Sequence, residues 1–169
     1  MSKLRNTDSF IMFEILLDLL QAQDACFRVL EHPAEGRSDQ VALVRGTAPG
    51  QGAKAMLCKS RDGEAGLFLA VLPGNRRLDF KRLAQAVGVR RTTLVSPVEA
   101  MAATGCVIGA IAPFSFQEDM RLVVDPALVQ QFPEIAFNAG RLDRSIVLDC
   151  DDYVRIARPM LHPLSADLQ

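Results

Sequence analysis

Apolar residues recur at positions 10, 13, 16, 17 and 20, with Glu14, Asp18 and Gln21 between them. This three-to-four spacing predicts an amphipathic helix over residues 10–21, capped by Thr7, Asp8 or Ser9 and lying on a sheet. A short strand follows at 26–30 and stops at Glu31-His32-Pro33, because Pro33 forces extended geometry on its predecessor. Ser38 is placed to cap a short helix over 39–45. The run 53–58 is brief and mostly apolar, and the nearly unbroken apolar run 66–72 reads as a strand covered on both faces. Leu78, Leu83, Ala86 and Val87 give one side of a helix ending at Gly88. Residues 92–95 form a brief strand. Ser96 opens a helix through residue 103, with Pro97 at its first position and Glu99 at capping-box spacing.

The next stretch, 104–114, has two glycines and a proline around an apolar run, which predicts a strand ending in a loop with exposed backbone amides. Strands are expected at 121–124, 134–138 and 145–150. Asp125-Pro126 starts a helical turn, Asn138-Ala139-Gly140 turns the chain, and Asp151 or Asp152 caps a last helix through 156. Pro159 and Pro163 mark a tail. About seven strands and five helices predict an α/β (α+β) domain with a twisted mixed sheet, and the signals alternate too irregularly for a doubly wound parallel sheet. One domain over 1–169 is expected, with its core at about 10–156.

Composition narrows this. In 169 residues, 49% hydrophobic and 23% charged describes an ordered chain able to bury a core. A net charge of −1 gives no global attraction to nucleic acid, so any RNA contact must come from a local patch. Arg76, Arg77, Lys81, Arg82, Arg90 and Arg91 crowd the two ends of one helix with Asp79 as the acidic neighbour. They form either a solvated face or a phosphate-tracking surface. Cys26, Cys58, Cys106 and Cys150 are widely spaced and read as reduced thiols, and His32 and His162 lack ligand spacing, so no metal and no cofactor are expected. With no signal-peptide pattern and no membrane-length apolar run, the expected location is cytoplasmic, without membrane or DNA partners, and the default state is a monomer.

The candidate chemistry centres on residues 46–60. Gly46, Pro49, Gly50 and Gly52 break the preceding helix, and Lys54 then sits between Ala53 and Ala55 at a strand start. Only four lysines stand against fifteen arginines, and the other three lie in polar company. Such an ammonium could meet a phosphate, a carboxylate or a polarised carbonyl, or simply reach water from the strand end. The glycine spacing and the absence of a following Ser or Thr exclude a nucleotide-binding P-loop. His32 could exchange a proton with substrate or close the strand end.

Four separated segments, Gly52-Ala53-Lys54-Ala55, Leu78-Asp79 to Ser96-Pro97-Val98-Glu99, Thr104-Gly105 to Pro113-Phe114, and Asn138-Ala139-Gly140, resemble the YbaK/EbsC family in order and spacing. These are free-standing relatives of the editing domain inserted in bacterial prolyl-tRNA synthetases. The resemblance spans about residues 10–156. It implies a twisted mixed-sheet fold and an aminoacyl-tRNA deacylase that hydrolyses the ester of mischarged tRNA. It places the family's lysine at Lys54 and its Gly-x-x-x-Pro loop at 109–113, so Lys54, Gly109 and Pro113 are the expected catalytic elements. Phe27, Leu30, His32, Asn138, Gly140, Asp143 and Ser145 are the expected substrate contacts, and Arg76, Arg77, Arg82, Arg90 and Arg91 the expected tRNA contacts. Ser145 stands where some relatives carry an acidic residue after the small-residue turn.

An aminoacyl ester is activated, so a positioned water and backbone oxyanion donors suffice without a Ser-His-Asp set. A pocket lined by Phe27, Leu30, Gly109 and Ser145 would suit alanine, serine, cysteine or threonine, with Ser145 and Thr104 offering hydroxyl partners. A synthetase partner is compatible with this reading. The alternatives are a non-catalytic module that holds tRNA or a synthetase, and a hydrolase of other small acyl esters.

Overall fold

A computed structural model describes residues 2–166, leaving Met1 and residues 167–169 of the expected domain outside the described part. Helix α1 (Ser2–Ala22) starts before the expected caps, so Thr7, Asp8 and Ser9 lie inside it. Its apolar side buries Phe13, Leu16 and Leu20. Strand β1 (Phe27–Glu31) and helix α2 (Ser38–Arg45) follow, and α2 begins with Ser38 in its first turn rather than at the cap, which is Arg37. A single 3-10 turn at Pro49–Gln51 leads into β2 (Ala53–Ser60), then β3 (Leu67–Pro73).

Helix α3 (Phe80–Val87) is capped by Asp79, whose carboxylate accepts from the Lys81 and Arg82 amides, and it ends at left-handed Gly88. Strand β4 (Thr92–Leu94) precedes α4 (Pro97–Thr104), where Ser96 and Glu99 form the expected reciprocal capping box. After β5 (Met120–Val124) and α5 (Pro126–Gln130) comes the hairpin of β6 (Glu134–Arg141) and β7 (Arg144–Asp149). Helix α6 (Cys150–Ala157) is capped by Asp149, two or three residues earlier than the expected Asp151 or Asp152, and the tail adds β8 (Met160–Leu161).

The mixed α/β class is as expected, but the strands divide into two sheets. One has the antiparallel order β1-β7-β6, and the other the order β4-β2-β3-β5-β8, antiparallel at β4-β2-β3 and parallel at β3-β5-β8. Side chains alternate across β3. Leu69 and Val71 enter the main core with Phe137, Ile146 and Leu148 of the other sheet. Phe68 and Ala70 instead meet Leu83 and Val87 of α3 and Leu164 of the tail. The two sheets touch through one parallel bridge, Gly52 with Ala136. Past it β2 and β6 have no further pairing, and the space between them is left for a site.

Two local expectations fail. Residues 138–140 do not turn the chain: they continue β6, with a register shift between Asn138 and Arg141 and a positive φ of 78° at Gly140. A Cβ there would lie 3.0 Å from Met12, so the glycine lets α1 close on the bulge. The run 104–114 is not a strand either. Gly105 and Gly109 adopt positive φ, which breaks extended geometry, and the segment is a loop, exposed at Val107 and Ile108 and buried from Ala110 to Phe114. Its carbonyls find partners outside any ladder: Gly109 O accepts from Asn138 Nδ2 at 2.8 Å, Ala110 O from the Gly140 amide at 2.9 Å, and Pro113 O from the Tyr153 hydroxyl at 2.6 Å. Phe114 packs edge-on against Phe137 and Tyr153 beneath it.

Candidate active site

A cavity of about 170 Å³ lies at the seam of the two sheets. Gly52 and strand β2, through Lys54 and Met56, supply one wall, the start of α2 and its approach supply Gly36, Ser38 and Val41, and the 104–114 loop supplies Ile108, Gly109 and Ile111. Arg45 and Asn138 close the polar side. A volume this small suits an aminoacyl group better than a drug-sized ligand.

Lys54 faces the cavity from the first turn of β2, and its ammonium donates to the Arg76 carbonyl at the rim. Burial, reinforced by the nearby Arg77 charge, lowers its pKa. Gly109 sits opposite. Its φ of 93° and its approach to Gly36 both demand glycine, because a Cβ would fall 2.8 Å from Gly36 O. The amides of Gly109 and Ile111 donate to no acceptor among the described residues, whereas the neighbouring Ala110 amide is taken by Val107 O. The lysine and the bend of bare amides therefore line one hollow.

Behind them runs a buried polar network that the sequence reading did not assemble. Asn138 Nδ2 donates to both Glu35 O and Gly109 O, at 2.9 and 2.8 Å. Its Oδ1 accepts from Arg45 Nη2 at 3.0 Å, and Arg45 Nε donates to Ser145 Oγ at 2.7 Å. His32 Nε2 lies 2.7 Å from the same Ser145 oxygen, and its Nδ1 lies 2.9 Å from Pro33 O. A carbonyl only accepts, so Nδ1 is the donor to Pro33 O, and the single Ser145 hydroxyl proton has both His32 Nε2 and Asn138 Oδ1, the latter at 3.1 Å, within reach. His32 and Ser145 are thus support for Arg45 and Asn138 rather than cavity lining, and Ser145 is fully buried. Arg45 was read only as the end of a helix. Its partners lie about a hundred positions away, and nothing local marks it.

Of the other expected site residues, Gly140 holds the loop through its amide without lining the cavity. Pro113 is turned into the core under Tyr153. Phe27 packs against the main core beside Leu148, Leu30 pairs with Ser145 from the far side of β7, and neither lines the cavity. Asp143 sits in the β6–β7 turn, where Arg141 and Arg144 hold its carboxyl below the usual range. Thr104 donates its hydroxyl to Ala100 O and is also away from the cavity.

The basic cluster separates. The Arg76 carbonyl receives Lys54 and the Arg77 charge acts on it, although neither arginine lines the cavity. Arg82 and Arg76 both reach Ser165 of the tail. Arg91 pairs with Asp62 at 2.6 Å, beyond the opposite end of β2, and Arg90 adjoins it. An eight-residue strand places that end roughly 20 Å from Lys54, so the five arginines do not form one continuous surface.

Comparison with known proteins identifies the family of the chain. Residues 32–156 match the model of the aminoacyl-tRNA editing domain. The chain belongs to that family. It is 48% identical over 147 residues to the multifunctional Ser/Thr-tRNA deacylase ProXp-y of Escherichia coli K12, covering 86% of this chain and 88% of the relative. Two solved structures share the fold. One is the hypothetical protein APE2540, with a TM-score of 0.79 at 18% identity, covering 89% of this chain and 99% of that one. The other is described as a candidate trans-editing enzyme for prolyl tRNA synthetase, with a TM-score of 0.77 at 20% identity, covering 92% and 98%. As an editing domain the chain is a hydrolase of aminoacyl-tRNA ester bonds. Among the described residues, no helix is long and apolar enough to cross a membrane.

Proposed function

We propose that this editing domain, working as a single domain, removes serine and threonine from mischarged tRNA in trans. The observation that carries the reading is the placement of Lys54 and the unpaired Gly109 and Ile111 amides around one small cavity. The Ser/Thr-tRNA deacylase relative supports the choice of amino acid, and a volume of about 170 Å³ fits a small acyl group.

The ester of the 3′-terminal ribose enters with its carbonyl oxygen towards the Gly109 and Ile111 amides. Water adds to the carbonyl carbon, and the negative charge that develops on oxygen is met by those fixed dipoles without reorganisation. The carbon–oxygen bond to ribose then breaks, the ribose oxygen takes up a proton, and free amino acid and uncharged tRNA leave. Lys54 is poised to release the Arg76 carbonyl and hold the terminal phosphate, with Arg76 and Arg77 adding positive charge at the rim. Arg90 and Arg91, at the opposite end of β2, lie too far for the same phosphate. A synthetase that delivers the tRNA body would fit so short a basic patch.

Incubation with seryl- and threonyl-tRNA tests the reading. Full-length protein should release the amino acid, and Lys54→Ala should lower kcat/KM by roughly 100-fold. Binding of charged tRNA without turnover would show a holding module instead. Turnover of short aminoacyl esters that ignores Arg76→Ala/Arg77→Ala would show a general esterase.

A further inference from the structure

Arg45 is a guanidinium at the bottom of the cavity with no carboxylate beside it. Two of its nitrogens are fixed, Nε on Ser145 and Nη2 on Asn138. The third, Nη1, has no partner among the described residues and lies at the β2 wall, where a Cβ on Gly52 would come within 3.6 Å of it. No acidic side chain lines the cavity among the described residues. Burial pulls the Arg45 pKa down to about 10, the cost of holding a cation in such a place.

The two side chains that Arg45 bonds are already committed. Ser145 is fully buried and engaged with His32, Arg45 and Asn138, and the Asn138 amide nitrogen spans Glu35 O and Gly109 O. The side chains of Val41, Ile108 and Ile111, which line the same cavity, offer no hydrogen bond. A ligand atom reaching Nη1 must therefore be an acceptor, and small.

We propose that Arg45 determines amino-acid specificity by donating from Nη1 to the side-chain hydroxyl of the seryl or threonyl group. This rests on the deacylase reading above and extends it. With an alanyl group the same nitrogen stays desolvated and unpaired, and a site built to bond a hydroxyl rejects the analogue lacking it far more strongly than an apolar slot rejects a methylene. The reader is also joined to the hydrolytic loop, because Asn138 holds Arg45 with one end and Gly109 O with the other.

The test charges one tRNA in turn with serine, threonine and alanine and measures kcat/KM for the full chain, for Arg45→Met and for Arg45→Lys. Wild type should favour serine over alanine by well over roughly 200-fold, beyond what a missing methylene gives. Arg45→Met should bring that ratio to about one by lowering serine and threonine hydrolysis far more than alanine hydrolysis. Arg45→Lys, which keeps a donor without the fork, should give an intermediate ratio. If Arg45→Met does not fold by circular dichroism, the wild-type and Arg45→Lys ratios decide.

Equal treatment of serine and alanine by wild type overturns the proposal while leaving the deacylase intact. So does a parallel loss on all three substrates, which would assign Arg45 to the loop or the oxyanion. Hydrolysis of none of the three removes the deacylase reading and this one with it.

Discussion

Asn138 Nδ2 donates to Gly109 O at 2.8 Å, so a side chain of β6 sets the position of the loop that lines the cavity. The same nitrogen bonds Glu35 O, and the same residue's oxygen receives Arg45. Three segments distant in sequence meet on one amide. Truncating it leaves two buried carbonyls and a guanidinium short of a partner, each costing about 1–3 kcal/mol. Asn138→Ala should therefore lower stability by about 2–4 kcal/mol in urea unfolding. Its kcat should fall more than its stability accounts for, measured where the variant is still folded. Asn138→Asp should fare no better on kcat, because a carboxylate cannot donate to Gly109 O.

Gly109 gives an independent handle on the same loop. Ala at φ 93° is strained, and its Cβ would meet the Gly36 backbone at 2.8–2.9 Å, where nothing flexible can yield. Gly109→Ala should displace the loop and lower kcat by about 100-fold, the usual effect of moving a reacting group by about 1 Å. Gly46→Ala is the control. It shares a positive φ but has nothing within 4 Å of its Cβ, so it should cost only about 1 kcal/mol of stability and leave kcat unchanged.

Much of this was legible in the chain. A lysine between alanines after a glycine-rich turn stands out among four lysines, and Gly109 stands out in an apolar run. The helix and strand order could be read from periodicity because most elements bury one face against a neighbour. The 104–114 run was misread because an apolar stretch looks the same whether a ladder or scattered side chains satisfy its carbonyls. Here Asn138, Gly140 and Tyr153 do so, and only the fold brings them there. Arg45 was invisible for the same reason. The arginines around α3 looked like one cluster because they are near in sequence, while the helix between them sends Arg90 and Arg91 away from the cavity and into the company of Asp62.

The four thiols should react unequally. Cys58 and Cys150 are buried, and burial pushes their pKa values up to about 12 and about 11, so neither offers appreciable thiolate near neutral pH. Cys106 is buried as well, and Cys26 is exposed beside β1. Brief treatment of native protein with iodoacetamide at pH 8 should add one label, at Cys26 by peptide mass. It should leave deacylation intact, because Cys26 does not line the cavity.

The tail gives the last prediction. Asp125 caps α5 and also accepts from the Leu164 and Ser165 amides, at 3.0 and 2.9 Å, and from the Ser165 hydroxyl. Ser165 in turn takes Arg82 on its carbonyl, and the Leu164 carbonyl takes the Asp79 amide at 2.7 Å. The tail thus braces residues 76–79, the segment whose Arg76 carbonyl receives Lys54.

Burial alone would raise the Asp125 pKa, but the donors from Ser165, Ala127 and Leu164 outweigh it and hold the carboxyl below its ordinary value. A carboxyl depressed on folding stabilises above the unfolded pKa, near 4, and that contribution disappears as pH falls through the lower folded value. Asp125→Asn should then cost about 2 kcal/mol between pH 5 and 8 in urea unfolding, with the gap to wild type closing below about pH 4. Amide exchange at Leu164 and Ser165 should quicken in the variant at neutral pH. KM for charged tRNA should rise as the Arg76 turn loosens, while the seryl-to-alanyl preference, set on the other side of the cavity by Arg45, should hold.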